Sequence, residues 1–133
     1  ESDFTSIGKD LIQLINGDII VAGQVNFRGS KSILIIRLNS LGELIWTSYF
    51  NDSELSTHLL YLNEDNIILG GYGFAGSFLI SVDGNGRKNW IQKYSSMKKL
   101  NAFDRVGSGF VLVGQSYSDR GMMIRAGILG EIK

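Results

Sequence analysis

The chain has 133 residues, with 13 Lys+Arg against 13 Asp+Glu, 17 Gly, and neither Pro nor Cys. Balanced charge excludes a general nucleic-acid or anionic-membrane binder, whose affinity needs clustered basic residues, and the missing Cys excludes disulfides and thiolate metal sites. No apolar run nears the roughly 20 residues of a membrane-spanning helix, and the length suits a single domain over 1–133.

The opening Glu1-Ser-Asp-Phe-Thr-Ser-Ile7 is strand-like and unlike a signal peptide. It lacks an initiator Met, so the chain is expected to be processed or part of something longer. Strands are expected at about 11–15, 18–24, 32–39 and 44–50. A second set follows at about 58–63, 66–73, 77–83 and 88–94. A third covers about 101–106, 109–116 and 121–127, with a stub at 130–133. These runs are rich in Ile, Val and aromatics, which suit a pleated, half-buried surface. Asn16-Gly17, Asp65-Asn66 and Ser108-Gly109 sit between apolar runs and read as tight hairpin turns. Asn39 to Gly42 and Asp83 to Gly86 read as four-residue turns. Ile33 to Leu38 is apolar on both faces, as a strand in a sheet packed between two others should be.

The three sets repeat one another. Gly17-Asp-Ile-Ile-Val-Ala-Gly23 aligns with Asp65-Asn-Ile-Ile-Leu-Gly-Gly71 and Ser108-Gly-Phe-Val-Leu-Val-Gly114. Gly42, Gly86 and Gly130 follow at intervals of 44 and 44. The repeats run approximately over 8–50, 51–96 and 97–133. The third stops where Trp46-Thr-Ser-Tyr-Phe50 would follow in the first. Residues 1–7 are therefore expected to act as an N-terminal strand that closes the last unit.

An apolar strand ending in Ala-Gly, then an apolar strand, Asn39, Gly42 and Trp46, resembles the short β-propeller repeats of bacterial and archaeal proteins. The second unit departs by Gly70 for Ala, and the third by Val113, by Gly127 and by having no Trp. The resemblance implies all-β blades, three four-stranded antiparallel units per chain. Rings need about 4–8 blades, so a second chain would complete a homodimer of six, or the chain belongs to a larger propeller. A β-trefoil is the alternative fold. The resemblance favours an extracellular or cell-surface protein.

No catalytic constellation is visible, so an enzyme is not expected, and no cofactor or metal is implied. Asp83-Gly-Asn-Gly86 lacks the downstream acids of a Ca²⁺ loop, since Arg87, Lys88 and Asn89 follow. Gly70 to Gly73 precedes a strand and lacks the helix N-terminus of a phosphate loop. His58 is the only His, and its pairing with Asp10 is the weakest functional idea. Trp46 and Trp90 read as fillers between blades, or as sugar-stacking platforms. The expected function is a non-catalytic interaction or scaffold module. A lectin-like carbohydrate binder is the alternative, and a glycan or a protein is the ligand class. In a propeller the loops at 25–31, 73–76, 116–120, 51–57 and 95–100 share one face. The candidate binding residues on or near it are Phe27, Arg28, Phe74, Tyr117, Arg120 and His58. The pairs Lys98-Lys99 and Arg28/Lys31 read as solvated loop charges.

Overall fold

The computed structural model describes residues 4–50 and 55–133, apart from the side chains of 4, 5, 27, 55–57, 60 and 61. The fold is all-β. The first sheet orders β1 (Phe4–Gln13), β2 (Ile19–Phe27), β3 (Ser30–Leu38) and β4 (Leu44–Phe50) as an antiparallel meander. The second does the same with β5 (Leu55–Asn63), β6 (Asn66–Gly73), β7 (Gly76–Val82) and β8 (Lys88–Tyr94). The third has β9 (Met97–Val106), β10 (Gly109–Ser116) and β11 (Gly121–Ala126), with an isolated bridge from Ala126 to Ile132. Each described strand pairs only within its own sheet, and no sheet closes on itself.

The sheets stack face to face with the second in the middle. Ile20, Ala22, Ile33 and Ile35 of the first pack with Leu69, Phe78, Ile80 and Val82 of the second. Ile68, Leu79 and Tyr94, from the other face of the second, pack with Phe110, Leu112 and Ile124 of the third. Each side chain of this kind that leaves water contributes about 1.5–3 kcal/mol. Burial at every position of β7 follows from its place between two layers. Ile33 to Leu38, expected to be covered on both faces, is not: Ile33, Ile35 and Arg37 are buried, while Leu34, Ile36 and Leu38 are partly exposed. The reason is that the first sheet is an end layer.

Phe4 to Ile7 pair with Phe27 to Gln24 as the first half of β1. They extend the first sheet instead of adding a strand to the third, because β2 is long enough to offer them a full ladder; residues 1–3 lie outside the described residues. Two turn centres sit one residue earlier than expected, at Glu64-Asp65 and Gly107-Ser108. The loop expected at 25–31 is a strand extension closed by a two-residue turn. Phe27 pairs with Ser30, and Arg28 and Gly29 both have positive φ, at 52° and 84°. Extra length in the first unit thus lies in strands, not in a loose loop.

The glycines at intervals of 44 have a common geometry. The Gly42 N–H donates to Asn39 O while the Asn39 N–H donates to Glu43 O, and Asp83 to Arg87 and Gly127 to Glu131 repeat both bonds. Gly42, Gly86 and Gly130 all take φ near +83°, where a Cβ is strained. Asn39 and Asp83 brace their turns by accepting two backbone N–H bonds each on Oδ1. Gly127 has no side chain to do this, and Glu131 folds back so that Oε1 accepts from the Leu129 N–H at 3.2 Å. Gly23 and Gly114 have a different cause. The first strand of each sheet bulges opposite Gly23, Gly71 and Gly114 respectively. A Cβ on Gly23 would collide with the Ile7 carbonyl oxygen, and one on Gly114 with the Lys99 oxygen.

Candidate functional site

The tips of the β2–β3 and β6–β7 hairpins and the start of β9 converge on one end of the stack. Between them lies a cleft of about 490 Å³. Its side chains come from all three sheets: Lys31 from β3, Tyr72 and Phe74 from the β6–β7 hairpin, and Lys98 and Lys99 from β9. Buried Met97 anchors β9 here, its carbonyl accepting from Ser77 Oγ at 2.9 Å. A register shift opposite Gln115 and Ser116 breaks the alternation of β9 here, and Lys98 and Lys99 are both exposed. Lys99 Nζ lies 5.8 Å from the Tyr72 ring centroid, a contact worth about 0.5–1 kcal/mol at an exposed site. Lys98 Nζ is 3.9 Å from Asp119 Oδ1, an exposed pair worth at most about 1 kcal/mol. Phe74 is 97% exposed at the rim.

Among the residues singled out from sequence, Phe74 lines this cleft. Arg28 occupies the exposed turn beside Gly29, and Phe27 ends β2, its side chain outside the described residues. Tyr117 and Arg120 are exposed at the β10–β11 turn and do not line the cleft. His58 lies in β5, where Nε2 is 2.6 Å from Asn101 O; since a carbonyl only accepts, Nε2 carries the proton. The Asp10 carboxylate accepts from the N–H groups of Leu11 and Leu59. The two side chains are thus committed to separate backbone partners, and each ties the first strand of one sheet to the first strand of its neighbour. Of the loop at 51–57, residues 51–54 lie outside the described residues. Lys31, Lys98 and Lys99, read from the sequence as solvated loop charges, line the cleft together with Tyr72; nothing near each one in the chain shows that three sheets meet there.

The other end of the stack carries a structural knot. Arg37 is 8% exposed and reaches from the first sheet into the second. Its Nε is 3.0 Å and its NH2 2.8 Å from Asp18 Oδ2, its NH1 donates to Gly84 O at 2.9 Å, and its NH2 is 3.5 Å from Glu64 Oε2. Trp46 Nε1 donates to the same Gly84 oxygen and Ser48 Oγ to Gly86 O. Trp90 stacks at a tilt on Phe110, with centroids 6.3 Å apart. Tyr94 donates its hydroxyl to Gly130 O. The two Trp residues therefore join sheets and offer no open platform. Burial, then the Glu131 carboxylate, pushes the Tyr94 phenol well above its ordinary pKa.

Among the described residues, no group of three His, Asp or Glu could hold a metal ion, and no helix is long and apolar enough to cross a membrane. Comparison with protein-family models, curated proteins and solved structures gives no match.

Proposed function

We propose that the chain is a non-catalytic interaction module, a run of three propeller blades that self-associates so that a second copy completes a ring of six. The observation that carries this reading is the outward face of the first sheet. In the second sheet the cross-strand row Leu59–Leu69–Ile80–Ile91 belongs to the layer packed on the first. The same row in the first sheet is Leu11–Val21–Ile36–Thr47, flanked by Leu34, Leu44 and Tyr49. It faces solvent, with Leu11 63% and Leu44 64% exposed. Monomeric proteins rarely leave so continuous an apolar face open.

The third sheet ends the stack with the complementary side. Its outward row Ala102–Val113–Met123 corresponds to His58–Gly70–Leu79, which packs on the following sheet. Arg125 stands where Arg37 stands in the first sheet, beside a cavity of about 230 Å³. There it can take the Asn39–Gly42 turn of a second copy, as Arg37 takes the turn at Gly84. Gly86 and Gly130 are seated against Trp46 and Trp90 of the preceding sheet, whereas Gly42 has nothing within 4 Å. Strands about 4.8 Å apart and about 20 Å long give the four-stranded first sheet a face of roughly 400 Å² and the three-stranded third sheet one of roughly 300 Å². Two junctions, each covering one face of either kind, bury roughly 1,400 Å², within the range of a stable interface. A β-trefoil would need strands of different units paired into a barrel, and the described strands do not pair that way.

Light scattering coupled to size exclusion tests the reading. The expected mass is that of two chains, falling to one in Leu11→Lys and in Met123→Lys, whose exposed positions leave the core intact. A wild-type monomer at micromolar concentration would sink the proposal.

A further inference from the structure

We infer that the cleft at the hairpin tips binds an acidic oligosaccharide, a carboxylated sugar chain whose C–H face lies on Phe74 and Tyr72 while its carboxylates meet Lys31, Lys98 and Lys99. This site is separate from the faces that join copies and does not depend on ring closure.

Three observations converge. First, the chain as a whole is neutral, yet three lysines from two different sheets line one cleft, and no Asp or Glu is among its described lining residues. A concave site lined by one sign of charge focuses its field on the opposite charge. Among the described residues Asp119 pairs with Lys98, at 3.9 Å, and it lies on the exposed β10–β11 turn.

Second, the aromatic component is presented to solvent. Phe74 occupies a two-residue tip between Gly73 and Gly76 and is 97% exposed. Gly76 takes φ +104° with the Tyr94 oxygen 2.9 Å from where its Cβ would lie, so the tip is held in place by the neighbouring backbone. A fixed, exposed aromatic beside a cleft of this size is suited to receive a flat apolar surface.

Third, the polar lining is almost entirely donor. Ammonium groups donate and cannot accept, and the Tyr72 hydroxyl is the single side-chain acceptor among the described lining residues. A neutral sugar can offer the ammonium groups only uncharged hydroxyl acceptors, and a nucleobase edge presents donors and acceptors together. A carboxylated sugar presents charged acceptors on a body with an apolar C–H face, which matches this lining.

Titration calorimetry on the intact protein tests the assignment with a galacturonic acid tetramer as probe. Its fully methyl-esterified form, inorganic phosphate and adenosine monophosphate serve as comparisons. The acid tetramer is expected to bind at least about tenfold more tightly than the ester. Lys98→Ala and Lys99→Ala should each weaken it about fivefold, the effect of one screened charge at contact. Phe74→Ala should weaken it without changing the salt dependence. Raising ionic strength from about 0.1 to about 1 M shortens the screening length from about 10 to about 3 Å and should remove most of the acid tetramer's advantage. All three side chains are exposed, so the unfolding midpoints should match wild type. Equal binding of acid and ester, phosphate binding as tightly as the tetramer, tighter binding of the nucleotide, or no binding of the tetramer at all would each overturn the assignment.

Discussion

Replacing Arg37 by Ala tests how the first two sheets are held together. The guanidinium is 10% exposed and Asp18 14%, so both charges are largely out of water. At about 4 Å between charge centres and an effective dielectric of about 20, their attraction is about 4 kcal/mol. The bond from NH1 to Gly84 O, at 2.9 Å, adds about 1.5–3 kcal/mol because its donor is charged. Glu64 is half exposed and 3.5 Å away, and contributes little. Desolvation of both groups offsets part of this gain. Removing one partner of such a pair, which leaves the other charge buried, costs about 3–5 kcal/mol. That is a large share of the roughly 5–15 kcal/mol that holds a domain folded. Urea unfolding followed by far-UV circular dichroism measures it without reliance on Trp46, whose fluorescence the change disturbs directly. Arg37→Met combined with Asp18→Asn should regain most of the loss, since no unpaired charge remains. A loss below about 1 kcal/mol in Arg37→Ala, or a double variant as weak as the single, would refute the electrostatic account.

The Tyr94 phenol is raised in the folded state, so folding favours its protonated form. Stability from this group is full below the ordinary phenol pKa of about 10 and is lost as pH rises beyond it. Urea midpoints should hold to about pH 9 and fall above about pH 10, and Tyr94→Phe should flatten that fall while costing about 1 kcal/mol at neutral pH. Gly114→Ala places a Cβ against the Lys99 carbonyl and should destabilise by about 1–3 kcal/mol, read as a lower thermal midpoint. An unchanged midpoint would mean that the bulge in β9 yields freely.

Much of the strand pattern is legible in the sequence, and the reasons differ by element. β4, β6 and β10 are bounded by Gly, Asn, Asp and Ser and rich in Ile, Val, Leu and aromatics, so local chemistry marks both their ends. The β2–β3 hairpin is hidden because its left-handed pair is Arg28-Gly29, and Arg is not a residue that announces positive φ. The extent of β1 is hidden for another reason: Gly8 and the bulge before Asp10 interrupt the alternation that would mark one long strand. The exposure of Leu34 and Ile36 depends on which sheet lies at the end of the stack, and a strand's own residues carry no record of that. The same holds for the cleft. Phe74 stands out as an aromatic in a turn, but Lys31, Lys98 and Lys99 become one site only through the stacking of sheets distant in the chain.

The stacking has a direction. Every sheet turns one kind of face to its predecessor and another kind to its successor, so the two ends of the molecule are unlike. Unlike ends cannot satisfy each other within one short stack, and two equal ends do not match. Under the proposed self-association, growth would be head to tail, and the outcome would rest on curvature: if the angle per sheet brings the ends of two copies together, the assembly terminates, and if it misses, copies add without limit. A small change in the tilt between sheets, for instance at the Arg37 knot, would therefore be read out as particle size. An assembly of this kind would behave as a polymer whose terminator is geometry.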